Sequence, residues 1–165
     1  MLATVVLCAL LIAAHHLGFR LNVTPSLARG IYRLSDEQPK RGDVVAFCLS
    51  GSKAELARER GYILGGSCPS GLRPLMKQLA GVPFDLVSIE EYGILCGPQN
   101  DLKLWPVHTR TRDRKGRNLS PARIEGTVPE GMALVLTLHP GSFDSRYFGF
   151  VPLASLQKME PVLTF

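Results

Sequence analysis

The hydrophobic and polar positions divide the chain into two unequal parts. Residues 2–14 (LATVVLCALLIAA) are almost entirely apolar, and no Asp, Glu, Lys or Arg occurs before Arg20. An apolar run without a polar stripe is typical of a helix in lipid rather than of an amphipathic surface helix. As a helix, about 19 residues would reach roughly 28 Å, close to the ~30 Å hydrocarbon core of a bilayer. We therefore predict a transmembrane anchor over residues 1–19.

Two other interpretations of the apolar run stay open. A run of 13 apolar residues is also a usual length for the hydrophobic part of a cleaved signal peptide. A buried core helix is the third interpretation, although such a helix should show a polar stripe. The basic residues expected on the cytoplasmic side are missing, and Arg20 lies at the far end of the run, so the pattern gives only weak support for an orientation.

From Leu21 onward the apolar positions form short runs that alternate or contain β-branched residues, which is typical of strands. These runs are 30–34 (GIYRL), 43–49 (DVVAFCL), 74–82 (PLMKQLAGV), 85–89 (DLVSI) and 131–138 (GMALVLTL). Glycine and proline separate them. Only residues 53–60 (KAELARER) have the pattern of a surface helix, and no long linker divides the chain. We predict one mainly β domain over residues 20–165.

Composition and charge narrow the classes of protein. With 165 residues, 20% charged and 45% hydrophobic, the chain is long enough for a packed core and is neither disordered nor wholly embedded in lipid. Residues 110–117 (RTRDRKGR) supply +4 of the net charge of +5. Such a run indicates a solvated loop or contact with acidic lipid headgroups. A nucleic-acid interface would need a broader basic face with aromatic residues, so we expect no nucleic-acid partner.

The cysteines predict neither a metal site nor a unique disulfide. Cys8 lies in the apolar run, and Cys48, Cys68 and Cys96 show no CxxC spacing and no nearby histidine pair. A zinc site is therefore not expected, and we predict no metal or cofactor. In an exported domain the pairing that we favour is Cys68–Cys96, and buried free thiols are the alternative.

A candidate nucleophile follows shortly after the apolar run, at Ser26 in TPSLARG (24–30). Pro25 fixes its own φ and pushes Thr24 toward extended geometry. Gly30 can close a tight turn without steric cost. Such a turn would hold the Ser26 hydroxyl clear of the backbone, whereas the alternative is an ordinary loop serine.

A serine nucleophile requires a base, and Lys77 has the most suitable surroundings. No GxSxG motif accompanies the four histidines. In an extended segment Lys77 shares its face with Leu75 and Leu79. Burial disfavours the ammonium form, and lowering a lysine pKa from about 10.4 by ~3 units would require about 4 kcal/mol. The alternative is a lysine whose stem covers apolar surface while its amine reaches water.

Four segments in order resemble the conserved boxes of the type I signal peptidase family. They are TPSLARGIY (24–32), KRGDVVAF (40–47), LMKQLAGVPFD (75–85) and SFDSRYFGFVP (142–152). The resemblance covers roughly residues 20–156, and the spacing of 51 residues from Ser26 to Lys77 suits the family. It implies a signal-peptidase-like or LexA-like antiparallel β domain, here with one N-terminal transmembrane helix.

The resemblance also implies roles for individual residues. Ser26 would be the catalytic nucleophile and Lys77 the general base. The Ser26 backbone N–H and the Thr24 hydroxyl would form the oxyanion hole. Ser142 would orient the Lys77 amine. Two further residues of the last box, Asp144 and Arg146, would form an ion pair that supports the site, or would only cap a turn.

Departures from the general signal peptidases point to a subgroup. The chain reads LTLHPG (136–141) where that group has a Gly-Asp-Asn-type stretch, and VPFD (82–85) where it has Pro-Gly-Asp. There is no room for a large extra β domain. With RGYILGGSCP (60–69) ahead of the lysine box, the chain looks more like the small conjugative-transfer peptidases of the TraF type. That resemblance implies a pilin precursor as substrate, released by water or by its own N-terminal amine.

The sequence therefore predicts a membrane-anchored serine endopeptidase that processes an exported precursor. We expect it in the bacterial inner membrane, with the catalytic domain facing the periplasm. Its partners would be the bilayer, a membrane-bound precursor and other conjugative transfer proteins. The alternatives are a general type I signal peptidase and a non-catalytic assembly subunit of a conjugative secretion complex. An autocleaving repressor of the LexA class would need a DNA-binding domain where this chain has its apolar run.

Overall fold

The computed structural model describes residues 1–165, with all side chains except those of Ala3 and Leu11. The helices are α1 (Leu2–His16), α2 (Gly51–Glu59) and α3 (Ser145–Phe148), with a 3-10 turn at Leu153–Ser155. The strands are β1 (Phe19–Asn22), β2 (Gly30–Leu34), β3 (Val44–Phe47), β4 (Leu75–Gly81), β5 (Leu86–Glu90), β6 (Gly93–Gly97), β7 (Lys103–Trp105), β8 (Gly126–Thr127), β9 (Met132–Leu136), β10 (Val151–Pro152) and β11 (Gln157–Thr164).

The strands form two antiparallel sheets. The larger has the order β1-β2-β11-β3-β4-β9-β10, and the smaller has the order β7-β6-β5-β8. Every paired strand runs antiparallel to its neighbour. The prediction of a mainly β, antiparallel domain is confirmed, and the predicted helix at 53–60 is observed as α2.

Strands β4 and β9 separate two apolar cores. Leu79 and Val135 pack into the core that also holds α2, whereas Ala80 and Leu134 pack into the core beneath the smaller sheet. The alternation follows from the two-residue period of side chains along a strand. Lys77 lies on the same face of β4 as Leu79, so its side chain is on the side of the core that also holds α2.

The N-terminal helix is shorter than the predicted anchor. Helix α1 ends at His16, and Phe19 already begins β1, which pairs with β2. Among the described helices, none is both long and apolar enough to cross a membrane. The prediction of a transmembrane anchor over residues 1–19 is therefore not supported.

The predicted disulfide pairing is wrong. Cys48, just after β3, bonds to Cys68 in the loop that precedes β4. Cys96 lies on β6 as a fully buried free thiol, and its pKa is raised to about 12 because burial disfavours the thiolate. A Cβ on Gly81 would come within 2.6 Å of the Cys96 sulfur, so Cys96 fills the space against β4 in the other core, away from Cys68.

Phe84 occupies a turn position that favours glycine. It has φ 71°, the left-handed region, in the turn between β4 and β5, at the position where the resemblance implied glycine. This conformation costs a residue with a Cβ on the order of 1 kcal/mol. The turn is held by the Phe84 N–H bond to the Val128 carbonyl and by an Arg41–Asp85 ion pair at 2.6 Å. The Phe84 side chain itself remains exposed.

Candidate active site

The loop that carries Ser26 is held by one buried amide side chain. Asn22 ends β1, and its Nδ2 donates to the carbonyls of Thr24, Leu27 and Ala28 at 3.2, 3.3 and 3.0 Å. These bonds close the chain into a compact turn between β1 and β2. Asn22 is only 5% exposed, so the turn is fixed from its interior.

Gly30 ends this turn because the backbone of β11 passes too close for any side chain. A Cβ at Gly30 would lie 2.0 Å from the Leu163 carbonyl oxygen. The turn residue predicted from sequence is therefore needed for a close strand approach at the start of β2.

The Ser26 hydroxyl lies against Thr24. The Thr24 hydroxyl donates to Asn22 Oδ1 at 2.7 Å, and the Thr24 and Ser26 hydroxyl oxygens are 3.0 Å apart. Because the single Thr24 proton is already committed to Asn22, Ser26 is the donor in the second bond. The Ser26 N–H donates to no group within the described part of the chain, so it is free to bind an oxyanion.

Lys77 lies in the interior of the larger sheet. It stands opposite Val45 on β3 and is 4% exposed. Its amine makes no hydrogen bond or ion pair with any described residue. Burial lowers the pKa of Lys77 to about 8; Asp144 counteracts this and Arg146 adds to it. About a tenth of this amine is therefore uncharged at pH 7, far more than for an ordinary lysine.

Asp144 and Arg146 form a fully buried ion pair behind the site. Arg146 Nε and Nη2 donate to the two Asp144 carboxylate oxygens, each at 2.8 Å. The remaining guanidinium donors reach the carbonyls of His108, His139 and Ser142. Asp144 also accepts from the Arg146 backbone N–H and so caps α3. The pair therefore ties α3 to the backbone at His108 and to the turn at 139–142.

Ser142 is a buried hydroxyl next to this ion pair. It is 5% exposed, and its backbone N–H donates to the His139 carbonyl at 3.1 Å. Its Oγ has no hydrogen-bond partner among the described residues. A buried hydroxyl without a partner carries a desolvation cost of about 1–3 kcal/mol, so Ser142 is poised to bond a group that enters the site.

One cavity of about 540 Å³ brings four of the sequence-predicted residues together. These four are Thr24, Ser26, Lys77 and Ser142. The other two predicted residues, Asp144 and Arg146, lie behind the cavity wall and do not line it. The cavity is therefore lined both by the Ser26 residue and by the lysine whose amine has a lowered pKa. No cluster of His, Cys, Asp or Glu suited to a metal ion occurs in the described side chains.

Sequence reasoning missed three parts of the site. Asn22 is one, although an Asn two residues before Thr24 is a usual signal for a local side-chain turn. His139 lines the cavity and accepts from the Gly141 N–H; burial lowers its pKa, with Arg114 adding to the effect. The third is the charged run 110–117, most of which lines the cavity.

The serine turn, the buried lysine and the supporting ion pair occur in a chain whose sequence matches one family. The family of signal peptidases described as peptidase S26 matches residues 1–159. The chain belongs to this family, and membership implies serine peptidase activity. The resemblance inferred from the four segments is thus confirmed.

The chain is also similar to several proteins of conjugative transfer. It is 34% identical to a probable conjugal transfer protein TraF of Sinorhizobium fredii, over 99% of this chain and 88% of the relative. It is 36% identical to a conjugal transfer protein TraF of Agrobacterium tumefaciens, over 99% and 92% of the two chains. A plasmid transfer protein TraF of Escherichia coli is 31% identical over 95% and 90%.

Among solved structures, a signal peptidase I from Enterococcus faecalis V583 is similar. It is 26% identical, covers 79% of this chain and 100% of its own, and superimposes with a TM-score of 0.43. The family assignment depends on the sequence matches.

Proposed function

We propose that this chain is a serine endopeptidase in which Ser26 is the nucleophile and Lys77 is the general base. The observation that carries the proposal is the Lys77 amine: it is buried, has no ion-pair partner in the described chain, and belongs to a residue that lines the same cavity as Ser26. A lysine that only covered apolar surface would extend its amine to water and would keep its usual pKa.

The reaction would proceed through an acyl-enzyme. Neutral Lys77 removes the proton of the Ser26 hydroxyl, which first rotates away from Thr24, and the serine oxygen attacks the substrate carbonyl carbon. The Ser26 N–H stabilises the resulting oxyanion. The Thr24 hydroxyl joins it once its proton turns from Asn22 toward the cavity. Protonated Lys77 then gives its proton to the leaving amine as the peptide bond breaks.

The remaining residues would position the base. The Ser142 hydroxyl, which lacks a partner among the described residues, bonds the Lys77 amine and orients it toward Ser26. The Asp144–Arg146 pair holds the turn that carries Ser142, through the Arg146 bonds to the His139 and Ser142 carbonyls. These are positioning roles, since neither charged residue lines the cavity.

The substrate would be a precursor exported by a conjugative transfer system, with a pilin as the leading candidate. The similarity to conjugal and plasmid transfer proteins TraF supports this context. Water or the N-terminal amine of the precursor resolves the acyl-enzyme, and the second route gives a cyclic product. The alternatives are a general type I signal peptidase with broad substrates and a non-catalytic assembly subunit of the transfer complex.

The catalytic domain, residues 20–165, would face the periplasm, held at the inner membrane by the N-terminal helix. Large apolar side chains of α1, including Val5, Leu7, Leu10 and Ile12, are exposed, and a surface of this kind favours lipid. We expect the full chain to remain in washed membranes, whereas Leu7→Lys with Leu10→Lys releases it. Equal recovery of both proteins in the soluble fraction would remove the anchor from the proposal.

The function is tested by co-expressing this chain with the pilin precursor of the same transfer system and measuring the intact mass of the pilin. We expect the wild-type protein and the control Ser52→Ala, an exposed serine on α2, to shorten the precursor. Ser26→Ala should leave it full length. A further loss of one water from the shortened product would identify cyclisation.

Two results would contradict this assignment. Equal shortening by Ser26→Ala would exclude Ser26 as the nucleophile. A full-length pilin in the presence of the wild-type protein would reject the pilin as substrate and leave the two alternative functions. Processing of unrelated exported precursors would then favour a general signal peptidase, and their persistence would favour the non-catalytic subunit.

A further inference from the structure

The cavity that contains Ser26 is strongly positive on one side. Besides Lys77, it is lined by seven basic residues, Arg60, Arg73, Arg110, Arg112, Arg114, Lys115 and Arg117. Among the described residues of the lining there is a single carboxylate, that of Asp113. We call these seven residues the basic wall. A concave surface with one sign of charge concentrates ligands of the opposite sign.

The only carboxylate of the lining is already saturated. Asp113 accepts from Arg117 Nε at 2.7 Å and from the Tyr62 hydroxyl at 2.7 Å, and the backbone N–H groups of Lys115 and Arg117 also donate to it. Although burial opposes ionisation, the bonds from Tyr62 and Arg117 hold the pKa of Asp113 well below its usual range. Asp113 therefore neutralises Arg117 and leaves the other charges of the wall uncompensated.

The segment that carries most of the wall is fixed in place. The Leu119 N–H donates to the Thr111 carbonyl at 2.8 Å, and the Arg110 N–H donates to the Tyr147 hydroxyl at 3.1 Å. Arg60 donates to the Asn118 carbonyl at 2.6 Å. A loop held at several points presents its charges in a preorganised arrangement, which lowers the entropic cost of binding.

Three cations of the wall have no partner in the described residues. Arg110, Arg114 and Lys115 make no side-chain hydrogen bond and no ion pair there. Arg114 extends to the catalytic side: a Cβ on Gly141 would come within 2.7 Å of its Nη2 atom. Gly141 directly precedes Ser142, so a free guanidinium lies beside the turn that would orient Lys77.

We propose that the basic wall is a specificity subsite that binds an acidic side chain of the substrate close to the scissile bond. The proposal rests on the proposed function, because it places the acidic residue within a peptide held at Ser26. Arginine presents paired donors that match a carboxylate, and Arg110 with Arg114 offers two such groups. An acidic residue near the cleaved bond would select this precursor over other exported chains.

An anionic membrane is the competing partner for these charges. The arrangement favours a peptide, because the wall lines the cavity that holds Ser26, and Arg114 packs on the turn that carries Ser142. Charges that serve a bilayer would be expected on an outer face, where many headgroups can be contacted at once.

The test uses extended alanine-rich peptides with one glutamate placed at successive positions, each matched by a twin with glutamine. The peptides are amidated at the C-terminus, so that the glutamate carries the only carboxylate. Binding is measured with the full chain bearing Ser26→Ala, and cleavage with the wild-type chain. The variants are Arg110→Gln with Arg114→Gln, and the control is Arg123→Gln, an exposed arginine outside the cavity.

We expect at least one glutamate peptide to bind about tenfold more tightly than its glutamine twin at low salt. The preference should fall with rising salt. It should be lost in the Arg110/Arg114 double variant and kept in Arg123→Gln. Binding without a glutamate preference at any position, or a preference that survives in the double variant, would overturn the subsite.

Two further readouts separate the subsite from its alternatives. If the double variant loses binding to vesicles of anionic phospholipid but keeps the glutamate preference, the wall serves the membrane and the subsite is refuted. Cleavage by the wild-type chain reports on the proposed function independently. Glutamate-selective binding without cleavage would support the subsite and reject the peptidase function. Cleavage without glutamate selectivity would support the peptidase function and reject the subsite.

Discussion

Two buried cations lie close to the cavity, and the fold treats them in opposite ways. Arg146 is fully buried, pairs with Asp144 through two bonds of 2.8 Å, and gives its other donors to backbone carbonyls. Lys77 is 4% exposed and has no partner among the described groups. The permanent charge of Arg146 is therefore compensated, whereas the charge of Lys77 is disfavoured.

The difference separates a structural cation from a reactive amine. A guanidinium cannot lose its proton in a protein, so burying it requires a complete set of acceptors. A lysine amine can lose its proton instead, and burial without acceptors promotes that loss. Charge compensation at Arg146 makes the site rigid, and its omission at Lys77 leaves the amine able to act as the base of the proposed reaction.

The strongest test of this comparison is Lys77→Met, which keeps the stem of the side chain and removes the amine. Without its base the enzyme should lose about a thousandfold in kcat/KM, while the stability is kept or raised because no amine is buried. Cleavage assays and urea denaturation measure the two effects. Lys53→Met on α2 is the control, and near-normal turnover by Lys77→Met would reject the lysine as base.

Removing the other cation should have the reverse pattern. Arg146→Met leaves Asp144 buried and unpaired, and the free energy of unfolding should fall by about 3–5 kcal/mol. Adding Asp144→Asn removes the isolated charge and should restore part of the loss. Urea denaturation measures the free energy of unfolding of each variant. A loss below about 1 kcal/mol for Arg146→Met would show that the pair is not structurally important.

The pH dependence of stability should report the Lys77 penalty directly. Its pKa is about 8 in the folded chain against 10.5 ordinarily, so the unfolded chain binds more protons between these values. Stability should therefore rise from about pH 8 to 10.5, by about 3 kcal/mol.

Below pH 8 the penalty is present in full, since the amine is protonated in both states. Lys77→Met should lack this rise, and kcat/KM of the wild type should reach half of its maximum near pH 8 and level off about one pH unit higher. A pH profile of kcat/KM with its midpoint below pH 6.5 would instead indicate that His139 is the base. The pKa of His139 is lowered from 6.5 by burial and nearby cations.

The smallest expected effect concerns the two serines on either side of Asp144. Ser142→Ala should lower kcat/KM by about tenfold, roughly 1.4 kcal/mol, without loss of stability, because its Oγ lacks a partner among the described atoms. Ser145→Ala should instead destabilise by about 1–3 kcal/mol, since Ser145 Oγ accepts from the buried Val135 N–H. Equal behaviour of the two variants would contradict the assigned roles.

Much of the fold could be predicted because local pattern and final structure agree. The strand that carries Lys77 has an apolar run of strand length, and α2 has a short amphipathic pattern. The strand β11 was missed. It contains Pro161 and mostly exposed side chains, and a register shift follows at Pro161. Its place between β2 and β3 depends on pairing with distant strands, which a local pattern does not encode.

For the site, the sequence predicted residue types better than their surroundings. Thr24, Ser26, Lys77 and Ser142 were identified because their segments follow one another along the chain as the resemblance requires. All four residues line one cavity. The cysteine pairing failed because spacing along the chain says little about which two of three thiols meet in space. The charged run is a solvated loop, as expected, and it also lines the cavity, because its contacts with Tyr62 and Tyr147 arise only after folding.

Because of the Cys48–Cys68 bond, the stability of the folded chain depends on whether it folds under reducing or oxidising conditions. It closes a segment with a sequence separation of 20 residues, which stabilises a folded domain by about 3 kcal/mol through loss of unfolded-chain entropy. This segment includes α2 and leads directly into the strand of Lys77. A newly made chain under reducing conditions lacks that contribution, so its folded population, and with it any proteolytic capacity, increases when it meets an oxidant.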